Sequence, residues 1–115
     1  MPLIDNQARD RVRELNDAFR KSLDPNLGKV VMTSGVSALP SDLRAMAIRS
    51  TATFDAFTAD NDPHGEHDFG GFELAGHRFF FKIDYYDSSL EMGSDDPTDS
   101  AKTTRVLTLM LAEEY

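Results

Sequence analysis

The sequence contains no cysteine, and its 12 Lys and Arg residues are outnumbered by 20 Asp and Glu. Without cysteine the chain can form no disulfide, no thiolate nucleophile and no zinc ribbon, which suits a reducing compartment. It also lacks an apolar run long enough to cross a bilayer, and its first six residues lack the basic-then-apolar order of a secretion signal. We therefore predict a cytoplasmic location. The net charge of -8 at pH 7 argues against direct contact with nucleic acid or with an anionic membrane.

The residues that are present fit one small domain. The chain has 115 residues, of which 40% are hydrophobic and 28% charged, a balance typical of globular proteins and a length too short for a full dinucleotide-binding sheet. The acidity is regional, since residues 58–99 carry eleven Asp and Glu against two basic residues. We predict a single domain over residues 1–115, with its negative charge concentrated in one part of the chain.

Residues 1–28 are predicted to form an N-terminal helix. Its apolar residues recur every three or four positions, as on one face of a helix. They are Ile4, Ala8, Val12, Leu15, Phe19 and Leu23. Charged residues such as Arg20 fall on the other faces, where we expect them to be solvated, and the turn residues Asp24 and Pro25 end the helix.

The rest of the chain is predicted to be mainly β. Residues 29–33 are β-branched and favour a strand, and residues 41–46 favour a helical turn. Residues 43–57 are ambiguous, because Leu43, Met46, Ser50, Phe54 and Phe57 fit a helix stripe while apolar and polar residues also alternate as in a strand. We predict a strand over residues 47–57. Residues 72–86 are typical of a hairpin with Phe79, Phe81, Ile83 and Tyr85 on one face. Residues 103–112 favour a last strand, with a terminal helix as the alternative. The predicted fold is α+β, with the N-terminal helix packed on a four- to five-stranded, mainly antiparallel sheet.

Two acidic loops, residues 58–71 and 87–99, separate these elements. In the first, Asp60, Asp62 and Gly65 match a calcium loop, but His64 stands at a ligand position and Gly71 replaces the bidentate Glu. The pair His64 and His67 also lacks the spacing and the helical scaffold of a zincin. We therefore predict no metal and no cofactor. A structural loop, a partner-contacting surface and a metal site stay open as interpretations of this loop, in that order of preference.

A second polar cluster lies on the predicted hairpin. Lys82 and Asp84 share one strand face, so an ion pair is the simplest interpretation. A general acid–base pair of Asp84 with Asp62 or Asp68 requires the first acidic loop to fold back on the strand. No nucleophile triad, phosphate loop or nucleotide fingerprint occurs, and the aromatic row of the hairpin is typical of core. The sequence thus predicts no catalytic residue.

Four runs of the sequence resemble a small bacterial family of unknown function, domain-of-unknown-function family 3768. The runs are NDPHGEHDFG at 61–70, KIDYYD at 82–87, GS with DP at 93–97, and TRVLT with MLAEEY at 104–115. The similarity covers about residues 29–115. It implies an accessory protein of proteobacterial plasmids and phages, often encoded beside anti-restriction and early-transfer genes. It implies no established reaction and transfers no catalytic residue.

Charge and resemblance together lead to one hypothesis. A carboxylate array on a small protein can occupy the positively charged groove of a nucleic-acid-binding machine. We expect an inhibitor of a host CRISPR or restriction complex that binds a basic protein surface. The carboxylates predicted to contact this partner are Asp60, Asp62, Glu66, Asp68, Asp84, Asp87, Asp95, Asp96 and Asp99.

Two other functions remain open from the sequence. One is a divalent-metal hydrolase that uses His64, Glu66, His67 and Asp68, with Asp84 as a further candidate. The other is a non-catalytic accessory protein of plasmid transfer that works through a sheet edge or as a homodimer.

Overall fold

The computed structural model describes residues 5–115, so Ile4 of the predicted helix stripe lies outside the described residues. The chain forms α1 (Asp5–Ser22), β1 (Lys29–Met32), α2 (Ser34–Ser37), α3 (Ser41–Thr53), β2 (Phe69–Leu74), β3 (His77–Tyr86), β4 (Thr104–Leu111) and a closing 3₁₀ turn (Ala112–Glu114). The predicted α+β class is confirmed. Over the described range, no helix has the length and apolarity needed to cross a membrane.

The four strands form one mixed sheet in the order β1-β4-β3-β2. β3 runs antiparallel to β2 on one side and to β4 on the other, while β1 pairs parallel to β4. The mainly antiparallel sheet is therefore confirmed with four strands. The last segment, residues 104–111, is a strand and not a terminal helix.

The core lies on one face of this sheet. Phe79 and Phe81 of β3 and Leu109 of β4 are at most 1% exposed, and Phe19 of α1 and Val36 of α2 pack into the same cluster. The alternation predicted for β3 is confirmed, because its odd-numbered aromatic and aliphatic side chains face the helices. The face that carries Phe80, Lys82, Asp84 and Tyr86 is the opposite one.

The strand predicted for residues 47–57 is wrong, because α3 continues to Thr53. Ala47 and Thr51 are buried one turn apart, and the Thr51 hydroxyl donates to the Ala47 carbonyl at 2.9 Å. The carbonyls at the end of α3 accept hydrogen bonds from a side chain of α1. Nη1 of Arg20 donates to the carbonyls of Thr51, Ala52 and Phe54 at 3.0, 3.2 and 2.8 Å. This contact supplies partners for groups that a helix end otherwise leaves unpaired.

The prediction that the charged residues of α1 are solvated is wrong for Arg20. Its side chain is 1% exposed, and Nη2 lies 3.2 Å from the carboxylate of Asp17. The guanidinium stands over the rings of Phe57 and Phe81, 5.2 and 5.7 Å from their centroids. A buried arginine of this kind is stabilised by carbonyl acceptors, one carboxylate and ring faces together.

Candidate functional site

Both acidic loops lie at the same end of the sheet. The first acidic loop, predicted over residues 58–71, ends at Asp68 in the structure, because Phe69 already begins β2 and pairs with Lys82 in the carboxyl-terminal half of β3. The second acidic loop, residues 87–99, follows Tyr86, which pairs with Thr104 at the start of β4. The topology therefore brings the two acidic loops to the same end of the sheet.

A chain of hydrogen bonds connects the two loops beneath the surface. The side-chain amide of Asn16 donates to the Tyr85 hydroxyl at 2.8 Å and to the backbone carbonyl of Glu66 at 3.0 Å. The Tyr85 hydroxyl donates to Oε1 of Glu66 at 2.9 Å. On the other side, Oδ1 of Asn16 accepts from Nε of Arg105 at 2.7 Å, and Nη2 of Arg105 donates to the carbonyl of Pro97 at 2.6 Å.

This polar chain is buried at its centre. Asn16 is 0% and Arg105 2% exposed, and the guanidinium lies over the Tyr85 ring at 5.3 Å from the centroid. Burial raises the pKa of the Tyr85 hydroxyl, and it lowers the pKa of Arg105. Arg105 forms no salt bridge within residues 5–115; neutral oxygens and a ring face contact its guanidinium, and the charge of Glu66 acts on it from a greater distance. Sequence reasoning missed both Asn16 and Arg105, because a single polar residue in a helix or strand carries no local signal of burial.

Asp62 is a structural residue of the first acidic loop. It is 8% exposed, and its carboxylate accepts hydrogen bonds from the backbone N–H groups of Glu66 at 3.1 Å and His67 at 3.2 Å. Asp60, by contrast, is exposed. A buried carboxylate that caps backbone amides offers little surface to a partner. The preferred interpretation of residues 58–68, a loop held by its own Asp and Asn side chains, agrees with this geometry.

The ring of His67 contacts one aromatic ring and two carboxylates. Its ring stacks on Phe57 with centroids 3.9 Å apart and planes 4° apart, and Nδ1 lies 2.9 Å from the carboxylate of Asp17. Nε2 lies 3.8 Å from Oδ2 of Asp62. The backbone at His67 has φ 56, a left-handed conformation that is uncommon for residues other than glycine, although Asn, Asp and His adopt it more often than other residues do. Its neighbour His64 is exposed.

The metal interpretation gains no support from these positions. Among residues 5–115, no three or more His, Asp or Glu side chains are grouped so that they could hold a metal ion. The two His67 ring nitrogens face Asp17 and Asp62, which already bond to other groups of the protein.

The carboxylates of Asp68 and Asp84 lie in different environments. Asp68 is half-buried, and its burial, followed by the charge of Glu66, raises the pKa of its carboxyl group. Asp84 lies on the opposite face of the sheet from Tyr85 and forms the expected ion pair with Lys82 at 3.0 Å. The structure thus does not bring Asp84 to the polar chain that joins the loops.

The second acidic loop is held in shape by its own carboxylates. Asp87 accepts from the Ser89 hydroxyl at 2.8 Å, and this bond lowers the pKa of Asp87. The Thr98 hydroxyl and N–H donate to Asp96, whose pKa is lowered in the same way. Asp99 accepts a backbone N–H two residues further on, at 2.9 Å. Each of these carboxylates fixes a turn of the loop.

Two apolar side chains project from this loop, and sequence reasoning missed them. Leu90 is 40% and Met92 71% exposed, and they flank the exposed Glu91. Leu90 also has φ 62, where a bulky side chain is disfavoured. The only feature of the sequence that could have indicated them is the presence of a Leu and a Met within an acidic run that is rich in turn residues. Exposed apolar residues rimmed by charge are typical of contact surfaces.

The described residues form a small α+β protein. Two acidic loops lie at the same end of its sheet and are joined by a buried chain of hydrogen bonds. The chain belongs to the family described as Protein of unknown function (DUF3768), whose model matches residues 32–114. No curated protein and no solved structure matches the chain. The family resemblance stated from the sequence is confirmed, and the mobile-element context stays a prediction.

Proposed function

We propose that this protein is a non-catalytic inhibitor that acts in the cytoplasm by binding the basic, nucleic-acid-binding surface of a host defence complex of the CRISPR or restriction type. Contact is made mainly through the second acidic loop. The observation that carries the proposal is the combination in residues 87–99 of five acidic residues, no Lys or Arg and two exposed apolar side chains.

Charge supports a basic partner. Asp87, Glu91, Asp95, Asp96 and Asp99 follow one another along 13 residues. Lys102 is the first cation after them in the chain. A concentrated field of one sign steers association with a surface of the opposite sign and selects against others.

The fixed shape of the loop supports binding rather than simple solvation. Asp87, Asp96 and Asp99 each accept hydrogen bonds within their own turns, so the loop is ordered before a partner arrives. An ordered surface loses less conformational entropy on association than a flexible one. Leu90 and Met92 add apolar area, which is the part of an interface that is desolvated at its centre.

The first acidic loop has a secondary role in this proposal. Asp62 is buried, Glu66 and Asp68 are partly buried, and Asp60 is the fully exposed carboxylate of this loop. Arg13 also donates to the carbonyl of Gly65 at 3.2 Å, which places positive charge beside the loop. The metal-hydrolase and plasmid-transfer functions stay predictions that no contact of the described residues favours.

The experiment is a pull-down of type I CRISPR effectors and of restriction complexes with the purified protein. Binding is measured at about 0.1 M and about 0.5 M salt, because screening shortens the reach of exposed charges. The double variant Glu91→Gln/Asp95→Asn removes two exposed charges whose side chains cap no turn. We expect it to weaken binding by about threefold to tenfold.

The matched control is Asp55→Asn/Glu113→Gln, which removes the same charge from two exposed carboxylates outside the acidic loops. It should leave binding within error of wild type. Binding that is insensitive to salt, or equally weakened by both double variants, contradicts the proposal.

A further inference from the structure

A cavity of about 490 Å³ opens between α1, the turn before β1 and residues 100–105. Its apolar wall includes Leu15 and Ala18 from α1 and Leu27 from the turn, and its polar wall includes Asn26, Lys29 and Ser100. The volume lies within the range of small-molecule sites, which are mostly apolar with a few convergent polar groups.

The charge of the cavity is opposite to that of the protein. Lys29 and Arg105 line it, and no Asp or Glu does, although the chain carries a net charge of -8. The carboxylates next to it in sequence are engaged by backbone. Asp24 accepts the N–H of Asn26 at 2.8 Å, and Asp99 accepts the N–H of Ala101 at 2.9 Å.

Several donors at the cavity are uncommitted. Within the described range 5–115, the side chains of Lys29, Asn26 and Ser100 have neither a hydrogen bond nor an ion pair. Arg105 is 2% exposed and bonds only to the neutral oxygens of Asn16 and Pro97. A buried guanidinium without a salt-bridge partner is costly, and an anion nearby offsets that cost.

We propose that this cavity binds a small molecule that carries one oxyanion group, a carboxylate or a phosphate, on a short apolar body. Lys29, Asn26 and Ser100 contact the oxyanion at the mouth, while Arg105 supplies positive charge from below. Leu15, Ala18 and Leu27 contact the apolar part. None of the residues that line the cavity belongs to the second acidic loop, and the proposal does not depend on the inhibitor function proposed above.

The test is a titration of the full chain with four probes, followed by amide NMR shifts and thermal unfolding. Butyl phosphate and pentanoate carry the two oxyanions on an apolar body, 1-butanol is the neutral analogue, and inorganic phosphate lacks the body. We expect saturable shifts at Gly28, Lys29, Ser100 and Ala101 with butyl phosphate, pentanoate or both, in the millimolar range that suits such small ligands. The stronger of the two identifies the source of the oxyanion. Saturation by 1-butanol equal to that of the anions, or by inorganic phosphate alone, overturns the proposal.

Three variants make the result specific. Lys29→Gln should weaken binding by about threefold to fivefold, as for a solvent-exposed charge pair. Lys21→Gln removes the same charge from an exposed position of α1 outside the cavity lining and should not. Ala18→Trp fills the cavity from an exposed helix position and should abolish binding with an unchanged melting temperature. Equal effects of Lys29→Gln and Lys21→Gln, undiminished binding by Ala18→Trp, or no saturable shift by any probe overturns the proposal.

Discussion

Asn16 of α1 and Arg105 of β4, which are 89 positions apart, are joined by a 2.7 Å hydrogen bond between two buried side chains. The same asparagine reaches Tyr85 and the backbone of Glu66. Asn16 therefore connects the first acidic loop to the sheet directly, and it reaches the second acidic loop through Arg105 and Pro97.

Replacing Asn16 by leucine should destabilise the protein strongly. Asn16→Leu keeps the branching and the number of heavy atoms of the side chain but leaves Arg105, Tyr85 and the Glu66 carbonyl each without one hydrogen bond. Unsatisfied buried polar groups of this kind cost about 2–4 kcal/mol in the free energy of unfolding. Urea denaturation measures this change. The control Asn26→Ala removes an exposed amide and should cost less than about 0.5 kcal/mol. A loss for Asn16→Leu no larger than that of the control contradicts the bridging role.

Asp68 gives a pH-dependent prediction of defined sign. Burial raises the pKa of its carboxyl group above the ordinary 3.8, so the folded state binds the proton more tightly than the unfolded state does. Stability from this group is therefore present below pH 3.8 and is lost as the pH rises through the folded-state pKa. Asp68→Asn should raise the melting temperature at pH 7, and the gain should vanish below pH 3.8. Thermal unfolding across this range is the measurement.

Asp96→Asn is the contrasting variant. Hydrogen bonds from Thr98 lower the pKa of Asp96, so its contribution is present above pH 3.8 and is lost as the pH falls through the folded-state pKa. This variant should lower the melting temperature at pH 7 and match wild type at low pH. The same sign for both variants contradicts the assignment of their environments.

The sequence predicts the sheet better than it predicts the helices. In β3 the alternation of Phe79, Phe81 and Ile83 is a local pattern that burial on one face imposes, and the structure confirms it. In α3 the local pattern misleads, because residues 47–57 alternate and are rich in β-branched side chains. Arg20 stabilises the end of this helix, because it donates to carbonyls that lie 31 to 34 positions away in the sequence. No local pattern contains that contact.

Gly70 of β2 tests how tightly the core is packed against the sheet. A Cβ at this position would overlap the ring of Phe81 and lie 2.7 Å from the ring of Phe54. Gly70→Ala forces those rings apart and should lower the free energy of unfolding by about 1–3 kcal/mol. At Gly93 the nearest atom would be 3.8 Å away, so Gly93→Ala should change stability by less than about 0.5 kcal/mol. Urea denaturation of both variants decides, and equal losses contradict the packing argument.

The candidate site was only partly predictable, for a physical reason. Carboxylates in turn-rich runs are visible in the sequence, and Asp87, Asp95, Asp96 and Asp99 do lie on the second acidic loop. Whether a carboxylate is buried depends on which chain segment covers it. Asp62 was therefore grouped with Asp60, although only Asp60 is exposed.

Leu90 should lower the stability of the free protein while it strengthens the proposed binding. Its left-handed backbone, with φ 62, and its 40% exposed side chain both disfavour leucine in the isolated molecule. Leu90→Gly relieves the backbone strain and should raise the free energy of unfolding by up to about 1 kcal/mol. It also removes an apolar contact, so binding in the pull-down should fall.

Ala75→Gly is the matched control, because Ala75 has φ 52 in the β2–β3 turn, away from the second acidic loop. It should gain similar stability without any loss of binding. If Leu90→Gly binds as well as Ala75→Gly, the leucine has no role in the interface, and the charge of the loop alone must account for binding.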